Sequence, residues 1–240
     1  MTAYTVTGTT TNNVYTGGLF QVVVLDNAAV AGSPAVGSST TAYNCSVSTT
    51  ADGSYVFGIA SNLNAETAYT AEGNCTTLTD YANGSVDTET ATFRTTNTTT
   101  GTPGATTVGF STTFSGQYGA VAMEILASGG TLTTDGSSPA AVESATGTSF
   151  TTASFSPPGS NVLVAMLAVT GNELVEVCVA TVSSSPSLTW TEQVKVSSEV
   201  SPNNAYLGVW TATVPAAITI TPPSWAQRVA VVPFSADVIM

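Results

Sequence analysis

The chain has no histidine, only three cationic side chains, and a charged fraction of 8% over 240 residues. Soluble domains usually carry about 25% charged residues, so Thr, Ser, Gly, Ala and Asn fill places that ions would otherwise hold. Without an imidazole base, neither Ser-His-Asp nor Cys-His catalysis can be assembled. The Cys/His spacings of structural zinc cannot be written either, since Cys45, Cys75 and Cys178 stand far apart. Fifteen acids against Arg94, Lys195 and Arg228 give a net charge of −12, which repels a phosphate backbone and excludes nucleic acid as a partner. The longest apolar run, VLVAMLAV at 162–169, is too short to span a bilayer. The start MTAYTVTGTT lacks a basic segment followed by an apolar one, so the expectation is synthesis in the cytoplasm, no signal peptide and no membrane partner.

What remains is rich in Thr, Val, Tyr, Phe and Trp, which fit a pleated and half-buried surface, and poor in the Lys, Arg and Glu that support exposed helix faces. The fold class expected is all-β. The length accommodates two domains.

The two halves resemble each other. ADGSYVFGIAS at 51–61 matches PGSNVLVAMLA at 158–168, with Tyr55, Phe57 and Ile59 opposite Val162, Val164 and Met166 at an offset of 107. ATTVGFS at 105–111 matches AAITIT at 216–221, and GAVAMEILAS at 119–128 matches RVAVVPFSA at 228–236, where Val121 falls opposite Val229. ATFRTTN at 91–97 corresponds to VWTATVP at 209–215, and GNCT at 73–76 to LTWT at 188–191. Turn signals recur at intervals suited to about seven short antiparallel strands per repeat. Residues 31–128 are therefore read as repeat 1, 129–148 as a linker and first strand region, and 149–240 as repeat 2. Residues 1–30 resemble the last two strands of a repeat; they are read as an N-terminal hairpin on the first domain or an arm that pairs with a neighbouring subunit.

The second repeat, through SFSPPGSNVLVAMLAV, SLTWTEQ, AYLGVWTATVPAAITIT and RVAVVPFSA, resembles the Ig-like β-sandwich modules of tailed-bacteriophage virion proteins and of some bacterial surface proteins. The first repeat resembles the same module, with Cys75 where the pattern usually has Trp. The resemblance implies two tandem Ig-like antiparallel β-sandwich domains. It implies a non-enzymatic structural role in a tailed-phage particle, as capsid decoration or minor capsid protein, or as a minor tail or fibre component. The implied partners are the major capsid or tail protein and other copies of the chain, and the implied location is the virion. A carbohydrate-binding module for host adhesion is the competing class.

Asp87 and Glu89, at i and i+2, would share one side of a strand and are the candidate carboxylate pair of a glycosidase, set against a solvated acidic edge. Glu173 and Glu176 are minor candidates for calcium, without an Asp-x-Asp-x-Asp-Gly pattern to support them; no metal or cofactor is expected. Alternation over TEQVKVSS puts Glu192, Val194 and Val196 on one face and Gln193, Lys195 and Ser197 on the other. Lys195 then reads as a solvent-facing guard of its strand, with a Lys–Asn cross-link as the alternative. Trp190, Trp210 and Trp225, with Tyr206, could form a sugar-stacking platform; core packing is the stronger reading of Trp190 and Trp210, while Trp225, beside a double proline, is the candidate for an exposed surface contact such as a host glycan. Asn44, Asn74, Asn83 and Asn97 head chance glycosylation sequons. Cys45 and Cys75 are expected as free buried thiols rather than a disulfide.

The stretch NAYLGVWTATVPAAITIT at 204–221 has no charge, and both of its faces are apolar near the middle. Tyr206, Gly208, Trp210, Ala212 and Val214 share one face; Ala205, Leu207, Val209, Thr211 and Thr213 share the other. Such a strand needs cover on both sides, from the other domain or from another protein chain.

Overall fold

Both-sided cover is what the architecture supplies. The computed structural model describes residues 2–10, 15–63, 69–83, 88–95, 103–112, 118–144, 148–171, 180–200 and 203–216. Strands make up the regular structure of these residues. They are β1 (Thr5–Thr10), β2 (Tyr15–Asp26), β3 (Ala28–Ala29), β4 (Val36–Ser39), β5 (Asn44–Ser48) and β6 (Tyr55–Leu63). Next come β7 (Cys75–Asn83), β8 (Thr88–Thr95), β9 (Ala105–Gly109), β10 (Tyr118–Ala127), β11 (Thr133–Thr134) and β12 (Val142–Ser144). The series ends with β13 (Ser149–Thr151), β14 (Val162–Gly171), β15 (Ala180–Ser185), β16 (Thr191–Val200) and β17 (Asn203–Thr213). All their pairings are antiparallel, so the fold is an all-β sandwich.

Two six-stranded sheets form the centre, in the orders β3-β10-β6-β8-β7, with β4 also on β10, and β11-β2-β14-β17-β16, with β12 also on β2. They pack face to face through Phe57, Ile59, Val121, Met123 and Ile125 of the first and Val23, Leu25, Val164, Met166, Leu207 and Val209 of the second. The outer face of the first sheet is covered by the two-stranded sheet β5-β9, through Cys45, Val47, Val108 and the aromatic rings of Tyr43, Tyr69 and Phe110. The outer face of the second is covered by the three-stranded sheet β13-β1-β15, through Val6, Phe150 and Ala180. Four layers result. The central strands are apolar on both faces because both faces are interior. Along β17 the phase is as expected, with Tyr206 and Trp210 turned to the outer sheet and Ala205, Leu207 and Val209 to the other half of the chain. The second cover therefore comes from the same polypeptide.

The N-terminal strands are neither a hairpin on the first half nor an arm directed away from the chain. β1 pairs with β13 and β15, and β2 lies between β14 and the short strands β11 and β12. In the second stack they hold the places that β9 and β10 hold in the first. Leu25 lies opposite Val162 as Ile125 lies opposite Tyr55, and Gln21 opposite Met166 as Val121 opposite Ile59. Gly8 faces Phe150 as Val108 faces Cys45. Thr10 faces Ala180 as Phe110 faces Ala71. Each N-terminal residue precedes its counterpart by the same 100 positions. Strand propensity is local and partner choice is not, which is why the sequence shows the strands and not their place.

The sheet borders are blunted by shape. One long edge strand of each central sheet carries a bulge at an equivalent point, between Thr77 and Thr79 in β7 and between Glu192 and Val194 in β16. On the opposite side the edges are only two to four residues long, in β3, β4, β11 and β12. Bulged and short edges both resist pairing with foreign strands, so few lysines are needed there. The exposed face of the β13-β1-β15 sheet carries hydroxyls alone among its outward residues: Thr5, Thr7 and Thr9 flanked by Thr151, Ser149, Ser185, Ser183 and Thr181. Hydroxyls keep water on that face without charge.

Gly58 lies where layers meet. A Cβ there would come within 2.4 Å of the Phe93 ring and 2.5 Å of the Val121 carbonyl oxygen, whereas one at Gly32 would meet nothing within 4 Å. Gly58→Ala is expected to destabilise the fold by about 1–3 kcal/mol and Gly32→Ala by less than about 0.5. Urea unfolding of the two variants checks the contrast.

Candidate functional site

Polar side chains buried inside this sandwich are the places where chemistry could be concentrated, and each can be followed from its strand. Glu124 falls on β10 among residues that alternate between the two cores, and its carboxylate points to the 49–54 turn. It accepts hydrogen bonds from the Thr50 backbone N–H at 2.9 Å, the Thr50 hydroxyl at 2.7 Å, the Ala51 N–H at 3.3 Å and the Ser54 hydroxyl at 2.7 Å. Only 1% of the residue is exposed. A carboxylate so surrounded needs no cation, because several donors replace its hydration. Its role is to pin the turn that starts β6.

Glu89 departs from expectation. Rather than lining a solvated acidic edge, it is 2% exposed and faces the outer core. Its Oε1 accepts the Tyr69 N–H at 3.1 Å, and its backbone carbonyl accepts the Tyr69 hydroxyl at 3.2 Å. Alternation along β8 puts Glu89 on the side of Ala91 and Phe93, which is the interior side of the β5-β9 cover. Asp80 stands on the neighbouring strand β7, two positions from Ala82, which lies opposite Glu89. Partial burial raises the Asp80 carboxyl above the ordinary range, and the Glu89 side chain nearby offsets part of that rise. Asp87, the expected partner of Glu89, lies outside the described residues. The Tyr69 ring stacks on Phe110 at 4.6 Å and meets Tyr43 edge-on at 5.3 Å, and burial holds its hydroxyl protonated well above the usual phenol range.

Cys45 and Cys75 are free buried thiols in the same core. Cys75 Sγ accepts the Gly109 N–H at 3.4 Å. Burial, helped by the neighbouring Cys75 sulfur, pushes the Cys45 thiol up to about 12, which removes its reactivity as a thiolate. Cys178 lies outside the described residues, as do Glu173, Glu176, Asn97 and Trp225.

The bulge in β16 corrects the alternation read from TEQVKVSS. The extra residue, Gln193, lets Glu192 face Trp210 and Lys195 face Gly208, so both lie on one side. Glu192 then meets Lys195 at 3.0 Å and accepts the Tyr206 hydroxyl at 2.7 Å. Lys195 faces solvent as expected, with 57% of its side chain exposed. Trp210 is buried and stacks on Tyr206 at 5.8 Å, and Trp190 packs beside them with its Nε1 donating to Ser184 Oγ at 3.3 Å. Arg94 lies over the Tyr55 ring at 4.9 Å. Among the sequon asparagines, Asn44 Nδ2 donates to Glu72 Oε1 at 2.8 Å and Asn74 Nδ2 to the Thr107 carbonyl at 3.1 Å. Asn83 ends β7.

One open cleft of about 290 Å³ lies where the chain after β3 meets the ends of β16 and β17. Val30, Thr189, Thr191, Gln193, Thr211 and Thr213 line it, and Gln193 Nε2 donates to Thr211 Oγ1 at 2.7 Å. Its walls are neutral hydroxyls and an amide over small apolar groups. Among the described residues no three acidic or sulfur side chains gather to hold a metal. Comparison with protein-family models, with curated proteins and with solved structures returned no match.

The sequence could have revealed Glu124: it is the one acid in GAVAMEILAS, at the phase of Ala120 and Ala122, which face inward. Nothing comparable marked Asp80, because its neighbour Glu89 comes from strand pairing.

Glu124→Ala removes the acceptor shared by the Thr50, Ala51 and Ser54 donors and is expected to cost about 2–4 kcal/mol, read by urea unfolding. Stability should also fall in alkali. The unfolded Cys45 thiol ionises near its ordinary 9.0 while the folded one stays protonated to about 12, so this contribution is complete below pH 9 and is lost as pH rises between those values. Tyr69 adds a loss of the same sign above its ordinary 10.0. Unfolding midpoints from pH 7 to 11 should decline, and Cys45→Ala should flatten the part that begins near pH 9.

Proposed function

We propose that the chain is a non-enzymatic structural protein of a tailed-bacteriophage particle, a capsid decoration or minor capsid protein seated on the major capsid or tail protein. The observation that carries this reading is the use made of the buried carboxylates. Glu124 and Glu89 accept bonds from turn and loop groups, Thr50, Ala51, Ser54 and Tyr69, so their polar chemistry supports the framework. The resemblance of both repeats to virion sandwich modules supplies the setting. Neutral hydroxyl faces and blunted edges suit a subunit held at high local concentration without fusing to its neighbours. Cover for β17 comes from within the chain, so that strand gives no reason for self-association. Attachment to the particle rests on other surfaces, and a homo-oligomer remains part of the proposal only through the symmetry of such particles.

A second reading, host-glycan binding, is favoured by the cleft beside Thr191 and Gln193, whose neutral hydroxyl and amide lining matches a sugar. Quantitative mass spectrometry of purified particles separates the two. The structural reading expects the chain in a fixed ratio to the major capsid protein, with no retention on a glycan array. Absence from the particle, or presence only in trace, would overturn it.

A further inference from the structure

The outer sheets of the two stacks differ by one strand. In the second stack β1 has a neighbour on each side, β13 and β15, and its pairing with β15 runs from Thr5 opposite Ser185 to Thr10 opposite Ala180. In the first stack β9 has β5 on one side. On the other, where β15 would run, the chain makes a single bridge, from Ala71 to Phe110, and then turns into β7. Ala105 and Thr107 hold the places of Thr5 and Thr7, and among the described residues no second strand lies beside them.

The backbone groups of β9 can be followed one by one, because alternate residues of a strand turn their N–H and C=O to opposite neighbours. Phe110 donates to the Tyr43 carbonyl at 3.0 Å, so the even-numbered residues serve the β5 side and the odd-numbered ones the other. The Gly109 carbonyl accepts the Glu72 N–H at 2.9 Å, and the Gly109 N–H goes to Cys75 Sγ at 3.4 Å. The Thr107 carbonyl accepts Asn74 Nδ2 at 3.1 Å, a side-chain amide in the place of a strand. The Thr107 N–H and both backbone groups of Ala105 have no partner among the described residues, and both residues are exposed. The central sheets blunt their edges with bulges and short strands, and this edge has neither device.

We infer, on the reading that the chain sits on a virion shell, that the β9 edge is its attachment site and takes an extended segment of the shell protein as the missing third strand. Main-chain bonds to Ala105 and Thr107 hold the segment, which displaces only the Asn74 amide. β15 shows the side chains that suit the place. In ATVSSS, Val182 packs inward and Ser184 accepts the Trp190 Nε1 bond, while Thr181, Ser183 and Ser185 face outward. The segment therefore carries small side chains inward and hydroxyls outward. Against a chain of net charge −12, its flanks are basic.

Proline at position 107 removes an open donor that the chain itself does not use, and strand edges accept proline where the N–H faces solvent. The full-length wild type, Thr107→Pro and Thr7→Pro are compared by urea unfolding and by co-sedimentation with purified shells assembled without the chain. Thr7→Pro, whose N–H faces β15, should lower the unfolding midpoint, and Thr107→Pro should leave it in place. Thr107→Pro should bind shells at least about tenfold more weakly than the wild type. Equal binding by the two overturns the inference and leaves the structural role standing, whereas a wild type that does not bind shells overturns both. Hydrogen exchange of the unaltered chain reads the same edge without a substitution. The Ala105 and Thr107 amides should exchange as open backbone in the free chain and slow by more than about tenfold on shells. Amides that stay as fast on shells as in solution overturn the inference as well.

Discussion

Contact between the two central sheets is the constraint on which the rest depends. β2, β14 and β17 expose apolar side chains on both faces, and a sheet of that kind is stable only with a layer on each side. One layer is the small β13-β1-β15 sheet. The other is the equivalent sheet of the first half, turned so that Phe57, Ile59 and Met123 meet Val164, Met166 and Leu207. Each fully buried side chain of this size contributes roughly 1.5–3 kcal/mol, so the contact outweighs any single polar group in the molecule. Of the polar groups inside, Glu124 collects donors from the 49–54 turn, as low dielectric requires, and Glu89 Oε1 accepts the Tyr69 N–H.

Poverty in charge follows without penalty from this arrangement. Among the described residues most apolar surface is consumed internally, and the edges of the two central sheets are short or bulged. Hydroxyl-bearing strands coat the outer face of the second stack. Lys195 and Glu192 mark one bulged edge as a pair, brought to one side by Gln193. Hydration, edge shape and the net −12 charge all oppose unspecific pairing between copies.

Much of the fold was legible in the residues. The match of Tyr55, Phe57 and Ile59 with Val162, Val164 and Met166 marks equivalent strands β6 and β14 in the two sheets, and the two-faced pattern of β17 matches its two cores. The resemblance of residues 1–30 to the end of a repeat was also visible, but not the stack they complete. Periodicity reports how a strand is buried and is silent on which strand lies beside it. A single inserted residue, Gln193, was enough to reverse the sidedness of Glu192. Glu89 was misread because its interior side is set by the cover of β5 and β9, far away in sequence.

The most direct test of the inter-sheet contact uses the hydrogen bond that crosses it, from the Thr92 hydroxyl on β8 to the Gln21 side-chain oxygen on β2. In a double-mutant cycle, Thr92→Val, Gln21→Ala and the double variant are unfolded in urea over a wide range of protein concentration. A coupling energy of about 0.5–1.5 kcal/mol that does not change with concentration is the predicted result. Zero coupling, or coupling that grows with concentration, would contradict a contact made within one chain.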